Sequence, residues 1–259
     1  MTRPTPLLEF FKRGEVARDV RLLAAQGTLA PTAHEQLAIL ILLVDDPDPE
    51  IRATANVTLS RIPVEALTAY LARSDVPIGT REFFGDRGVF PAVIPAIETD
   101  EPLIDDSGPD EFDIPDQADA SRESLVQQIA KMGFAERLKA AMKGSREMRA
   151  VFVRDPNKMI ASAVLSSPKL TEAEVESFAK MASVSEDVLR VIGSNRAWMK
   201  NYGVVVGLTK NPKTPLAMSL NLMNRLNDRE LSMLSVDRNV PEPLRVAARK
   251  KIVASTSKK

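Results

Sequence analysis

Residues 98–120, ETDEPLIDDSGPDEFDIPDQADA, carry ten acidic side chains and no basic one, with prolines at 102, 109 and 115. Crowded like charges repel, proline breaks helix interiors, and too few apolar groups remain to offset the entropy lost on ordering. The stretch therefore predicts two lobes, 1–95 and 121–259, joined by an acidic disordered linker over 96–120. Charge differs between them. Residues 1–97 hold 10 basic and 12 acidic side chains, net −2, whereas residues 121–259 hold 25 basic against 13 acidic, net +12. A net charge of zero hides a strongly uneven layout.

Both lobes read as all-α. No Asn-Gly or Asp-Gly hairpin turn occurs, and period-two alternation is scarce. Helix starts are frequent: Thr171-x-x-Glu174 and Ser183-x-x-Glu186 have capping-box spacing, and Thr214-Pro215 sets a cap residue before a proline. Pro63, Pro241 and Pro243 can also open helices. Helices are predicted over 8–25, 33–45, 49–60, 64–73 and 78–84 in the first lobe. In the second they are predicted over 121–132, 134–142, 146–154, 157–166, 171–182, 186–194, 198–209, 214–226, 229–236 and 241–254.

Composition narrows the function classes. The chain has no cysteine, so disulfides, zinc-thiolate sites, thiol nucleophiles and iron–sulfur clusters are excluded. One histidine, His34, excludes multi-histidine metal sites. The apolar run Leu37–Val44 has eight residues before Asp45-Asp46, well short of the about 20 a membrane span needs, and reads as a buried helix. Charges at Glu9, Lys12, Arg13 and Glu15 fall too early for a secretory leader. A soluble cytoplasmic protein with no membrane contact is expected.

The second lobe repeats internally. A shift of 42 residues superposes Arg154, Arg196 and Arg238, then Ala150, Ile192 and Leu234. It also superposes Ile160, Tyr202 and Leu244, then Ala163, Val205 and Ala247, then Val164, Val206 and Ala248. The turns at Pro168 and Pro212 repeat at an offset of 44. In the first lobe Ala30-Pro31 and Val76-Pro77 each precede a helical stretch, and DDPDPEIRA over 45–53 has the form of a turn opening a helix. These features resemble the armadillo/HEAT superfamily of helical repeats. The NPKTP turn at 211–215 resembles leucine-rich-variant repeats. The resemblance implies a right-handed alpha-alpha superhelix that binds partners along an elongated surface, with 171–182 and 214–226 lining the concave face.

No catalytic motif stands out. There is no phosphate-binding glycine loop, no His-Glu-x-x-His and no Gly-x-Ser-x-Gly, and His34 reads as a solvated or capping side chain beside Glu35. Asp105, Asp106, Asp110, Glu111 and Asp113 lack calcium-loop register, with Pro109 between them. No enzyme activity, metal or cofactor is expected. The binding candidates are cationic: Arg154, Arg196 and Arg238 as a row about 10 Å apart in stacked repeats, with Lys158, Lys200 and Lys213 beside it. Bracing between repeats is the first reading of that row, through Arg154-Asp155 and Asp237-Arg238. Contact with phosphate or an acidic segment is the second. Trp198 stands at a unit edge and is expected to be partly exposed, whereas Tyr202 is expected in the core. Nine of the ten methionines fall in the second lobe, and Met218 and Met223 are the candidates for an adaptable groove.

Leu103, Ile104, Phe112 and Ile114 interleave with the carboxylates of the linker. Such a segment either keeps the chain soluble as a spacer or docks in cis, over 98–116, on the basic second lobe and masks it. Unchanged partner affinity on deleting 98–116 would sink the masking reading. The expected function is a protein-binding adaptor or scaffold engaging an acidic or amphipathic segment, with nucleic-acid binding by the basic lobe as the alternative.

Overall fold

The computed structural model describes residues 6–30, 32–93, 103–104 and 122–256. All regular structure among the described residues is helical. Packing divides the chain into two compact units, Met1–Ser145 with Ser166–Pro168, and Arg146–Leu165 with Lys169–Lys259. The boundary read from charge at 120/121 thus differs from the packing boundary. Helices α7 (Arg122–Lys131) and α8 (Phe134–Lys143) group with the first unit, where α8 buries Leu138, Ala140, Ala141 and Met142 and packs on α2 (Arg18–Ala25). Apolar burial, not charge, sets the boundary.

The first unit continues with α1 (Pro6–Lys12), α3 (Ala33–Leu43), α4 (Pro49–Arg61), α5 (Val64–Leu71) and α6 (Ile78–Gly85). The helix predicted over 8–25 is two. Gly14 takes a φ of 70°, which an α-helix cannot contain, and the chain restarts at Arg18. Thr32 caps α3 by accepting from Glu35 N, a task that sequence had left open to His34. The apolar run is a core helix as expected, with Leu37, Ile39, Leu40 and Leu43 buried and Leu42 exposed. The 45–53 turn is a clamp. Asp46 takes Arg21 at 2.7 Å, and Asp48 takes Arg18 at 2.7 Å while accepting Glu50 N to cap α4. Arg18 holds the Asp48 carboxyl below the ordinary aspartate range, chiefly through that hydrogen bond.

The second unit runs α9 (Arg146–Phe152), α10 (Lys158–Ala163), a 3-10 turn at Val164–Ser166, α11 (Glu172–Lys180) and α12 (Glu186–Ser194). A second 3-10 turn at Trp198–Lys200 follows, then α13 (Tyr202–Lys210), α14 (Leu216–Met223), α15 (Asp228–Val236) and α16 (Glu242–Thr256). Packing links elements two apart as well as neighbours: α10 with α12, α11 with α13, α14 with α16, and in the first unit α1 with α3 and α2 with α4. The Thr171/Glu174 capping box forms, each residue bonding the other's backbone N–H. Two predicted caps do not. Ser185, not Ser183, caps α12 through Val188 N, and Pro215 itself occupies the cap position of α14 while the buried Thr214 hydroxyl finds no partner among the described residues.

The uniform 42-residue shift averages two different offsets. Asp155, Asn195 and Asp237 each accept the backbone N–H two residues on, as the same Asx turn, with Asp155 and Asn195 40 apart. The helix caps Asn157 and Asn201, which follow, lie 44 apart. The four additional residues lie between Asn195 and Asn201, where the three-residue Trp198–Lys200 turn forms. In the register that the turns define, Val204 replaces Tyr202 as the counterpart of Ile160, and both are fully buried.

Candidate interaction surface

Most of the candidate cations of the second unit stand at its turns, where the side chain after the Asx residue is exposed. Arg196 follows Asn195 and Arg238 follows Asp237, and both are exposed. Neither makes a side-chain hydrogen bond or ion pair among the described residues. Arg154 precedes its Asx residue instead of following it, and its Nε donates to Ala150 O at 3.0 Å. The three-arginine row is therefore a pair of equivalent arginines with a displaced third. No Asp237–Arg238 pair forms among the described residues, and the Asp237 carboxylate receives Asn239 N.

The lysines divide in the same way. Lys158, at the start of α10, pairs with Asp187 of α12 at 2.9 Å across exposed surface. Lys200 and Lys213 are exposed, and Lys213 N donates to Asn211 Oδ1 in the NPKTP turn. Trp198 is half-buried on the 3-10 turn, as its edge position suggested. Tyr202 corrects the core expectation. It is 42% exposed, and its hydroxyl accepts Asn227 N at 3.1 Å beside the cap of α15.

Met218 and Met223 do not line an open groove. Met223 is buried, and the Met218 thioether fills the space over Gly193 that a Cβ would occupy, so it packs α14 on α12. Among the described residues Met233, on α15, is the exposed methionine. His34 is half-buried, its Nδ1 3.2 Å from the hydroxyl of the buried Tyr70. No group of three or more His, Asp or Glu side chains converges as metal ligands do among the described residues. Asp105, Asp106, Asp110, Glu111 and Asp113 lie outside them, as do Phe112 and Ile114. No helix among the described residues is long and apolar enough to cross a membrane.

Two residues of the acidic segment are described, and they sit in the first unit. Leu103 and Ile104 are held against Gln36 of α3, a residue only 1% exposed. The masking reading had placed the segment on the second lobe. Sequence reasoning passed over Gln36, although an amide inside AHEQLAILILL must find partners or leave polar groups buried without them.

Comparison with protein-family models, with curated proteins and with solved structures finds no match.

Proposed function

We propose that this protein is a non-enzymatic adaptor of the cytoplasm whose second unit, a right-handed stack of armadillo/HEAT-like repeats, engages an acidic or amphipathic segment of a partner protein. The observation that carries the reading is the exposed pair Arg196 and Arg238, set on equivalent Asx turns with no side-chain partner among the described residues. Fixed turns hold the start of each cationic side chain in place, which lowers the ordering cost of binding, and the charge steers encounter. Packing between helices two apart supports the repeat reading. Lys200, Lys213 and the half-buried Trp198 extend the same polar surface, while Arg154 and Lys158 bind more weakly because each has an intramolecular bond.

The test uses the full chain and a labelled peptide of residues 109–120, which carries Phe112 and Ile114 among carboxylates. Binding should survive moderate salt and weaken about tenfold in the Arg196→Gln/Arg238→Gln variant. Equal affinity in both proteins would sink the reading. Labelled single- and double-stranded DNA, titrated in parallel, addresses the alternative. Tight DNA binding with a steep log–log salt slope, together with no peptide binding, would assign the surface to phosphate instead.

A further inference from the structure

Gln36 has a bonding pattern unusual for a core amide. Its Nε2 donates to Gly27 O at 3.0 Å and to Ile104 O at 2.6 Å, and its Oε1 accepts Leu103 N at 2.8 Å and Ile104 N at 3.2 Å. Every hydrogen-bonding position of the amide is thereby used. Three of the four bonds go to the main chain of a segment 67 and 68 residues away in sequence. Bonding both N–H and C=O of Ile104 is how a neighbouring strand would pair with it, so one side chain imitates a strand edge.

The site has shape as well as bonds. Gly27 closes α2 with a φ of 83°, and a Cβ there would stand 3.3 Å from Thr58 Cγ2 and 3.6 Å from Ile104 Cγ2. Glycine thus keeps open a notch, walled by Thr58 of α4, in which the isoleucine methyl rests. Gln36 and Thr58 are both buried, so the floor of the site is preformed by the core. Removing the segment would leave the Gln36 carbonyl and one N–H without protein partners, an arrangement a core disfavours. The notch therefore favours occupation by extended backbone.

Nothing in the bond set is peculiar to the chain's own segment, since the main chain supplies every contact to Gln36. Selectivity comes from the apolar notch and from the sequence around the pair: Glu101-Pro102 before it, Asp105-Asp106 after it. We infer that the Gln36 notch is a peptide-binding site of the first unit, occupied in cis by Leu103-Ile104, and that its partner in trans is an extended protein segment with two consecutive apolar residues in an acidic stretch. The inference rests on the adaptor reading for the chemistry of the partner but assigns that chemistry to the first unit, independently of Arg196 and Arg238. The acidic segment then acts as a tethered competitor, whose effective concentration at the notch sets the threshold for a partner.

The test uses the full chain with a labelled peptide of residues 100–107, DEPLIDDS. The Leu103→Ser/Ile104→Ser variant, with its cis occupant weakened, should bind the peptide about tenfold or more tightly than the wild type. Adding Gln36→Leu to that variant should abolish binding, with helical content by circular dichroism confirming the fold. A peptide-side control requires no change in the protein: DEPSSDDS should not bind the vacated chain. Equal binding by wild type and vacated chain, equal binding of the two peptides, or binding that survives Gln36→Leu would each overturn the inference. Binding of 100–107 lost on Arg196→Gln/Arg238→Gln and indifferent to Gln36→Leu would also overturn it while leaving the adaptor reading standing. Binding that follows Gln36 alone, with no response of the 109–120 peptide to the arginine pair, would remove that surface and retain the notch.

Discussion

The Arg149 guanidinium holds the Glu174 carboxylate by two bonds, Nε to Oε1 and Nη2 to Oε2, each 3.0 Å, with the two side chains only 5% and 3% exposed. The same carboxylate receives Thr171 N and so closes the cap of α11, while Arg149 Nη2 also reaches Lys169 O at 3.2 Å. One buried ion pair thus ties α9 to the turn and the start of α11, 25 residues on.

Breaking that pair from one side should be costly. Arg149→Met leaves a carboxylate buried without its cation, and a loss of about 3–5 kcal/mol is expected in urea unfolding. Pairing it with Glu174→Gln, which keeps an acceptor for Thr171 N, should recover part of the loss. A single-variant loss below about 1 kcal/mol would mean that the pair adds little beyond its hydrogen bonds.

The contact of α11 with α13 should respond to side-chain size at Gly207. A Cβ there would stand 3.2 Å from Ala179 Cβ and 3.4 Å from the Ala179 carbonyl carbon. Gly207→Val should cost about 1–3 kcal/mol by forcing the helices apart. In Gly207→Ala the gain in helix propensity, about 1 kcal/mol, should offset most of the crowding. Thermal unfolding of both variants checks the contrast. Equal melting temperatures for valine and wild type would show that the helices are not closely seated.

Asn211 is the anchor of the NPKTP turn. Its Nδ2 donates to Ala179 O at 2.9 Å and Met181 O at 3.0 Å, at the end of α11, while its Oδ1 accepts Lys213 N. Asn211→Ala should therefore destabilise by about 2–4 kcal/mol, since two carbonyls lose their donor. Hydrogen exchange should show faster opening at 208–216 before global unfolding. Unchanged exchange there would refute the anchoring role.

Acid should weaken the first unit through its aspartates. Arg18 depresses the Asp48 carboxyl by hydrogen bonding, and Arg73 does the same for Asp75. A carboxyl with a depressed folded pKa contributes stability above its unfolded value, about 3.9, and loses it as pH falls through the lower folded value. Asp48→Asn, which still caps α4 but gives up the charge pair with Arg18, should lower stability near pH 7 by the small amount the pair contributes there and flatten its decline below about pH 4, so that variant and wild type converge in acid. Melting temperature followed against pH tests this, and an identical acid limb in the variant would contradict it.

How much of this was legible beforehand varies with the range of the interaction. The ends of α3, α4, α12 and α15 fall within about two residues of their predicted places, because caps and prolines act on the backbone beside them. The split at Gly14 was missed, since an apolar stripe continues across it and the positive φ leaves no mark in hydrophobic periodicity. The repeat was visible but its register was not. The offset is 40 before the Trp198–Lys200 turn and 44 after it, so a constant 42 aligned Arg154 with arginines of different turn position and Tyr202 with core residues.

The candidate surfaces follow the same rule. The cations of the second unit could be read directly, since exposed charge needs no partner to be recognised. Arg149 and Gln36 could not, because their roles depend on a carboxylate 25 residues away and on a backbone 67 residues away. Taken alone, the sequence determined the helical class, most helix ends and the uneven charge, all of which follow from neighbours within a few turns of chain. Tertiary structure alone decided the unit boundary, the methionine packing and the seat of Leu103-Ile104. Those depend on which distant groups are desolvated together, and burial is a property of the packed assembly rather than of any stretch of it.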